Sequence, residues 1–537
     1  MTTGSPTKRR PSPTWLGLIL TACSSPATLG GGSGESLPAG LSAVSAPTVS
    51  APPGSDISLA GTATGPSALD RAGEAPINPW SADPVWGQFH RNGYAQAATT
   101  ARGPEAGDRL QVQYVAVPGS GGAPTQMHLS APYPDGSRTA WSTTLTHIVK
   151  ARVRGATFEL AGAYEIAALR ELNVAWNMTL GRGNKAYVPS PRDRAILRFG
   201  DADPRDPRSP IVLEKTFRLP PEVRGVPAVL NLSYDGWLVV ITNEAWMVAV
   251  KTDFSAHRSF DLGQATNDLS THNSFPMDEQ GNLYVASLFA MTKVRWTGNE
   301  FRLVWRTPYD FRGPGCPPVS GKQVREALKV VAGLPCTGSG TTPTLVGRGA
   351  MDQLVVAVDS HRRNRLVAFW RNEPPADWVA LPGQDRRVAG VLELPHSTWA
   401  GRGFTAENSP PVSGYDIAVA QYAGFTPPCD APRGVQLARW NPALRKLELT
   451  WANDSVPFNN VMTLSSGSGL IYGSGRNRDC QVVYRGLERH TGRVAFSLPL
   501  GRSDRFVDSG NTNALLDDRS ILFGVPQGIA RLRPVGP

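Results

Sequence analysis

The sequence has few cysteines and lacks the short motifs that mark common enzyme classes. Its 537 residues include five cysteines, and no two of them have Cys-x-x-Cys spacing, which argues against a zinc or redox site. It contains no Gly-x-Ser-x-Gly elbow, Walker loop or His-Glu-x-x-His pair. Serine-triad hydrolases, nucleotide enzymes and zinc proteases therefore lack their signatures here. Whether the protein is an enzyme is left open by its motifs.

Clustered charge and long apolar runs are also missing. The net charge is +10, but the basic residues are scattered, with no basic helix and no groove of interleaved basic and aromatic residues. Nucleic acid is therefore not expected as a partner. A solvated basic surface explains the charge, and weak attraction to anionic lipid headgroups fits it equally well. The apolar run Trp15–Ala22 is far shorter than the roughly 20 residues that a membrane-spanning helix needs.

The N-terminus has the pattern of a signal peptide. Basic residues Lys8–Arg10 precede the apolar run, and the tetrad Leu20–Cys23 closes it. The tetrad Leu-Thr-Ala-Cys resembles the lipobox of bacterial lipoproteins. That resemblance implies cleavage after residue 22, a lipid on Cys23, and anchoring to the bacterial cell membrane, facing the periplasm or the exterior. The alternative is a plain secretory signal with an incidental cysteine.

Residues 23–79 are rich in Ser, Ala, Gly, Pro and Thr and contain hardly any aromatic residues. Such a stretch buries too little apolar surface to offset the entropy lost on ordering, so it is predicted to be a flexible tether. A tether directly after a lipidated cysteine agrees with the lipoprotein interpretation. Residues 80–537 are predicted to form one folded domain.

One unit, a turn followed by a short β-rich string, recurs along that domain. The step from string to string is roughly 45–70 residues, near the period of a four-stranded propeller blade plus loops. We therefore predict an all-β propeller of seven blades, or of eight if the strands between Gln111 and Leu172 complete one. The only helix expected is Gly321–Ala332. The strings, expected to line the inner edges of the blades, are Ala186–Val188, Leu238–Ile241, Leu283–Ala286, Leu354–Val358, Ile417–Ala420, Leu470–Tyr472 and Ile521–Phe523.

Four cysteines remain in this domain, an even number that suggests two disulfides in an exported chain. Three connectivities are possible. We favour Cys316–Cys336 together with Cys429–Cys480, because each pair closes within one or two neighbouring blades.

Two segments carry a resemblance to a known family. Residues 86–93, Trp-Gly-Gln-Phe-His-Arg-Asn-Gly, resemble the Trp-x-x-Phe-x-x-Asn segment that precedes propellers of the pyrroloquinoline-quinone-like (PQQ-like) type. Residues 486–496 resemble the quinoprotein repeat, keeping Thr491-Gly492 as the turn between two outer strands but having Phe496 in place of Trp. The resemblance implies the propeller fold. Since most blades lack the repeat, a quinone cofactor is not expected.

Polar residues recur just before the strings, and they are the candidate site. Equivalent ends of inner strands meet in a ring on one face of a propeller, and a ring of amide and carboxylate oxygens suits Ca²⁺. The arrangement is similar to gluconolactonase and paraoxonase propellers, which implies calcium ligands and His272 as the candidate general base. Alternatively, these residues cap turns or bind the backbone of the next blade. The candidate ligands are Asn273, Glu407, Asn408, Asn460 and Asn513.

The other histidines, His90 and His128 among them, stand singly and are interpreted as surface or packing residues. The leading functional hypothesis is a lipid-anchored, exported propeller acting as a binding or scaffold module in the cell envelope. Its partner would be an envelope protein or a small molecule, and the chain is expected to be a monomer. The alternative is a calcium-dependent lactonase or esterase, and a quinoprotein-like dehydrogenase ranks third.

Overall fold

The structure is a computed structural model, and it shows the repeated strings as β-strands of successive blades. The helical elements of the described residues are three short ones: α1 (Ala68–Gly73), α2 (Leu262–Thr266) and a 3₁₀ turn at Asp504–Phe506. No helix in the described part of the chain has both the length and the apolar character needed to cross a membrane. The described residues are 65–119, 126–166, 178–268, 273–312, 316, 338–396, 398–399, 402–403, 408–422, 429, 433–507 and 513–535.

The first four blades follow one another in the chain, each an antiparallel sheet of neighbouring strands. Blade 4 has three strands, and an isolated bridge between Met277 and Leu283 stands where its innermost strand would be. After β1 (Ala98–Thr99) and β2 (Arg109–Ala116), the strands are, for blade 1, β3 (His128–Leu129), β4 (Arg138–Thr143), β5 (His147–Arg154) and β6 (Thr157–Glu165); for blade 2, β7 (Thr179–Gly181), β8 (Lys185–Ser190), β9 (Ala195–Asp201) and β10 (Ile211–Arg218); for blade 3, β11 (Pro227–Leu232), β12 (Trp237–Thr242), β13 (Trp246–Lys251) and β14 (His257–Asp261); and for blade 4, β15 (Asn282–Ala286), β16 (Ala290–Trp296) and β17 (Phe301–Pro308).

The remaining four blades complete the ring. A two-stranded ribbon, β22 (Thr398–Trp399) and β23 (Arg402–Gly403), lies in the chain between blades 5 and 6. The strands are, for blade 5, β18 (Thr344–Val346), β19 (Leu354–Val358), β20 (Arg365–Trp370) and β21 (Val388–Glu393); for blade 6, β24 (Val412–Ser413), β25 (Asp416–Ala420), β26 (Val435–Asn441) and β27 (Lys446–Asn453); for blade 7, β28 (Thr463–Ser465), β29 (Leu470–Arg476), β30 (Val482–Glu488) and β31 (Val494–Gly501); and for blade 8, β32 (Ala514–Leu515), β33 (Ile521–Val525) and β34 (Gly528–Val535).

The N-terminal strands close this ring. Strand β2 pairs antiparallel with β34 along its whole length, from Arg109 opposite Val535 to Ala116 opposite Gly528, and so becomes the outermost strand of blade 8. Strand β1 adds to blade 7 by pairing parallel with β28. Because β3 to β6 make a complete blade of their own, the propeller has eight blades, the larger of the two predicted numbers.

The apolar strings of the four-stranded blades are the second strands rather than the innermost ones. In the four-stranded blades a short strand of two to six residues lies inside each of them, and in blade 4 Met277 pairs inside Leu283. The second strands are buried on both faces, as the fully buried β12 and β19 show. They therefore read as continuous apolar runs. The innermost strands are too short to leave a pattern, so the prediction that the strings line the inner edges is wrong for the four-stranded blades. In blade 4, Leu283–Ala286 lies in the innermost strand, with only the bridge at Met277 inside it.

Aromatic side chains fill the spaces between neighbouring blades. Trp237 of blade 3 packs edge-on against Trp296 of blade 4, with ring centroids 5.1 Å apart. Trp370 and Trp440 make the same contact between blades 5 and 6, at 5.5 Å. In blade 7, Gly492 adopts a φ of 69° in the turn between β30 and β31, so the Thr-Gly turn lies between two outer strands as the repeat predicts.

One predicted disulfide is present, between Cys429 and Cys480, and it joins the loops that follow the second strands of blades 6 and 7. Cys316 is also disulfide-bonded, but Cys336, its predicted partner, lies outside the described residues. Cys23 and the helix predicted at residues 321–332 lie outside them as well.

Helix α1 (Ala68–Gly73) falls within the stretch that the composition predicts as a tether. Ser67 caps it, with a reciprocal hydrogen bond to Asp70. The Asp70 carboxylate accepts hydrogen bonds from Arg489 and Ser413, each 2.7 Å. Burial works against ionisation of this carboxyl, but Arg489 and the hydroxyl donors outweigh it and lower its pKa far below the ordinary value. The last part of this stretch is therefore attached to blades 6 and 7.

Candidate functional site

The centre of the propeller is occupied by the chain itself. Residues 86–97, here called the axial segment, are all buried and pass the inner strands of six blades in order. Their carbonyl oxygens accept hydrogen bonds of 2.7–3.2 Å from inner-strand N–H groups. The acceptor and donor pairs are Trp86 and Leu129, Gly87 and Leu180, Gly93 and Met277, Tyr94 and Leu345, Gln96 and Val412, and Ala97 and Leu464.

These backbone hydrogen bonds do not include blade 3, and the side chain of Gln88 makes the contact to that blade. Its Nε2 donates to Asn231 Oδ1 at 3.2 Å and to Leu232 O at 3.0 Å, both on β11 of blade 3. The segment therefore contacts blades 1 to 7 in sequence and blocks the channel at this level.

The close packing and tight turns of the axial segment explain the residue types in its Trp-x-x-Phe-x-x-Asn pattern. Trp86 is fully buried in the core shared by blades 1, 7 and 8. Asn92 Oδ1 accepts from the backbone N–H groups of Tyr94 and Gln96, at 3.1 and 3.2 Å. Such a side chain stabilises a turn by replacing a backbone acceptor. The turns are tight enough that four non-glycine residues have positive φ: His90, Arg91, Ala95 and Ala97.

The predicted ring residues lie at equivalent places along the innermost strands. Asn273, Asn408 and Asn460 each stand four positions before the residue that donates to the axial segment, namely Met277, Val412 and Leu464. Thr342 stands three positions before Leu345, and Asn513 directly precedes β32. The structure thus places these side chains at one end of the channel, next to the axial segment. His272 and Glu407 lie outside the described residues.

Three of the four asparagines bind backbone groups. The amide of Asn273 donates to Gly340 O and its Oδ1 accepts from Ser274 N at 2.6 Å. Asn408 Nδ2 donates to Gln421 O at 2.7 Å, and Asn460 Oδ1 accepts from Ser474 N at 3.0 Å. These contacts are the ones expected of residues that tie a blade together. Their role as calcium ligands remains a prediction, and the described residues contain no group of three or more His, Cys, Asp or Glu side chains able to hold a metal.

Two histidines that sequence reasoning assigned to packing lie at this end of the channel. His90 Nε2 is 3.2 Å from Thr342 Oγ1, and that hydroxyl also donates to Asn273 Oδ1 at 3.4 Å. Burial, and to a smaller extent the nearby His128, lower the pKa of His90 to about 3. Burial likewise lowers the pKa of His128 to about 4, against the opposing effect of the Gly87 backbone. Both rings are therefore neutral near pH 7. In the sequence, the only sign of their position is that His90 lies within the segment 86–93 and that His128 lies in the first inner strand.

Several buried polar side-chain atoms have no hydrogen-bond partner in the described part of the chain. They belong to innermost strands, or to the residues just before them, in blades 8, 1, 2 and 4. We call this set the axial cup. Its atoms are both amide atoms of Asn513, Gln126 Oε1, Thr179 Oγ1, Ser274 Oγ and the ring nitrogen of His128 that does not face the Gly87 backbone.

An unpaired buried polar group costs about 1–3 kcal/mol, so these atoms require water or a ligand. The set offers both donors and acceptors, and all of its members are uncharged: amide, hydroxyl and neutral imidazole groups. Chemically, the axial cup suits a neutral molecule that carries hydroxyl or amide groups.

Comparison with known proteins finds one relative by sequence and several structures with a similar fold. No protein-family model matches the chain. An uncharacterized protein of Archaeoglobus fulgidus is 28% identical over 440 residues, covering 75% of this chain and 78% of that protein. The quinohemoprotein alcohol dehydrogenase of Comamonas testosteroni superposes with a TM-score of 0.53 and 11% identity, covering 87% of this chain and 82% of that one. BamB from Moraxella catarrhalis gives a TM-score of 0.45 and 13% identity, covering 76% and 96%.

The likeness to the alcohol dehydrogenase shows the β-propeller fold, and the strand order of this chain gives it eight blades. The similarities in fold say nothing about a cofactor. Whether PQQ could bind depends on the residues of the axial cup. PQQ is a flat tricarboxylate, and a site for it requires cationic or strongly donating groups around a flat slot. At the axial cup the described wall is uncharged, and the axis is filled by the axial segment. These residues do not fit the cofactor, and no reaction step is derived through it.

Proposed function

We propose that this protein is an exported, lipid-anchored β-propeller that acts as a binding module of the cell envelope and holds a small neutral polar ligand in the axial cup. The observation that carries the proposal is the set of unpartnered donors and acceptors on or just before the innermost strands of four blades. Polar atoms buried in this way are stable only when a molecule in the channel supplies their hydrogen bonds.

Export and anchoring are supported by the N-terminal sequence, and export also by a disulfide. The basic and apolar N-terminus followed by Leu20–Cys23 has the order of a lipoprotein signal. The disulfide between Cys429 and Cys480 agrees with an oxidising compartment outside the cytoplasm. On this proposal the lipid on Cys23 holds the propeller near a membrane surface.

The ligand part of the proposal is tested by calorimetric titration of the mature protein with neutral monosaccharides, polyols and short peptide amides. Asn513→Leu should abolish binding of whichever probe binds the wild-type protein. In the absence of ligand the same variant should be at least as stable as the wild type, because it removes two unpaired polar atoms from a buried position. Asn299→Ala, at an exposed asparagine, is the control and should change neither property.

A loss of stability in Asn513→Leu without ligand would show that its amide has a structural partner and would contradict the cup. The anchor is tested separately by incorporation of labelled palmitate, which Cys23→Ser should abolish. Equal incorporation by the two proteins would refute the anchor and leave the axial cup unaffected.

A further inference from the structure

A second unexplained feature lies between blades 6 and 7, away from the axial cup. Arg433 stands four positions after Cys429 and just before β26, the third strand of blade 6. Arg485 stands five positions after Cys480 and within β30, the third strand of blade 7. The disulfide holds the two cysteine Cα atoms 4.8 Å apart. It therefore joins the two blades close to the two arginines in the chain.

Each of the two guanidinium groups has one buried nitrogen with nothing to bind. Arg433 Nη2 and Arg485 Nη1 are inaccessible to solvent and have no hydrogen-bond partner among the described residues. Neither arginine takes part in an ion pair within that part of the chain. The one hydrogen bond there is from Arg485 Nε to Ser497 Oγ, at 3.1 Å.

Burial and repulsion from nearby arginines disfavour the charged forms of Arg433 and Arg485. Burial, and to a smaller extent the neighbouring charge of Arg433, lower the pKa of Arg485 to about 10. Burial also lowers the pKa of Arg433, with repulsion from Arg478 adding to it. Asp479 opposes these effects at Arg433, but it is an exposed loop residue. Two cations held together in a partly buried position need an anion.

We infer that Arg433 and Arg485 form a binding site for an oxyanion group, a phosphate or a carboxylate, between blades 6 and 7. A guanidinium presents its N–H donors in a planar fork that matches two oxygens of such a group. Ser497 Oγ, already bound to Arg485, limits the orientation of one fork. The site is independent of the axial cup, since it uses other blades and charged instead of neutral side chains.

A solvated surface patch is the simpler interpretation of neighbouring arginines, and burial distinguishes the two. In a solvated patch the side-chain nitrogens face water, as those of the exposed Arg478 and Arg502 are free to do. One nitrogen of each partly buried arginine, Nη2 of Arg433 and Nη1 of Arg485, is withdrawn from water and lacks an acceptor among the described residues. That combination is what an unfilled anion site presents.

The test is titration of the full-length mature protein with inorganic phosphate, acetate and glycerol 3-phosphate at constant ionic strength. One saturable site is expected, and the three probes distinguish a free phosphate, a carboxylate and a phosphate ester. Arg485→Gln and Arg433→Gln should each weaken binding of the preferred probe about tenfold or more. Arg502→Gln makes the same charge change at an exposed position of blade 7 and should leave the affinity unchanged.

Thermal unfolding without ligand distinguishes an anion site from a structural role of the two arginines. If the arginines form an empty anion site, Arg485→Gln should unfold at the same temperature as the wild type or higher, because repulsion from Arg433 is removed. A marked decrease would assign Arg485 a structural role. Responses to the three probes equal to that of chloride, or identical in Arg485→Gln and the wild type, would overturn the site. Arg485→Lys, which keeps the charge but loses the fork, should bind with intermediate affinity.

Discussion

The buried histidines of the channel make a specific prediction about acid stability. An unfolded histidine has a pKa of about 6.5, whereas His90 and His128 in the folded protein have values of about 3 and about 4. Below pH 6.5 the unfolded chain therefore binds protons that the folded chain does not. Folding loses stability as the pH falls from 6.5 towards the folded values, by about 1.4 kcal/mol per pH step for each histidine.

At pH 5 this amounts to about 2 kcal/mol for each ring and about 4 kcal/mol for the two together. The measurement is urea-induced unfolding followed by tryptophan fluorescence between pH 7.5 and 4.5. The double variant His90→Asn, His128→Gln should lose most of the pH dependence in this window. Asparagine is chosen at position 90 because the backbone there has a φ of 50°, which asparagine tolerates better than most residues.

Two features separate this effect from other titrations. Carboxylates with lowered pKa values, such as that of Asp70, lose their stabilising effect only below the ordinary carboxyl range. His257→Asn, at an exposed histidine on β14, is the control and should keep the wild-type slope. If the wild type and the double variant have the same slope between pH 6.5 and 5, the histidines are not buried as described and the reasoning fails.

Three other predictions follow from the same structure. Replacing Cys429 and Cys480 by serine opens a loop with a sequence separation of 51 and should lower the free energy of unfolding by about 4 kcal/mol; an unchanged denaturation midpoint would contradict this. Trp86→Ala should cost about 3–5 kcal/mol, and Trp86→Phe much less because Trp86 Nε1 makes no hydrogen bond. EDTA should leave the melting temperature unchanged, since Asn273 and Asn460 already use their side-chain oxygens; a rise on adding calcium would instead support the predicted metal ring.

The propeller was predictable because its second strands are buried on both sides. Continuous apolar strings such as those in β12 and β19 remain visible in the sequence whatever the blade's loops contain. Glycine turns separate them at an interval that a blade sets. The eighth blade was predictable only as an alternative, since β2 could be assigned to the closing position only through its pairing with β34.

The candidate site was less predictable, for a physical reason. Innermost strands of two or three residues, such as β3 and β32, carry no periodicity, so the polar residues beside them could be aligned only by counting from the second strands. The positions of Asn273 and Asn460 follow from that count, but their hydrogen bonds do not. The axial segment has no regular structure, and its positive φ values at His90 and Arg91 are not encoded by glycine.

The axial segment also links ring closure to the proposed site. Residues 86–116 first contact the inner strands of blades 1 to 7, then add β1 to blade 7, and finally pair as β2 with β34. The pairing of β2 with β34 requires the last blade, so this part of the chain is fully docked only when the ring is complete. His128 and Asn513 lie in blades 1 and 8, on either side of that closure. A ligand bound between them in the axial cup would therefore stabilise the closed ring as well as occupy it, and saturation should slow unfolding of the whole propeller.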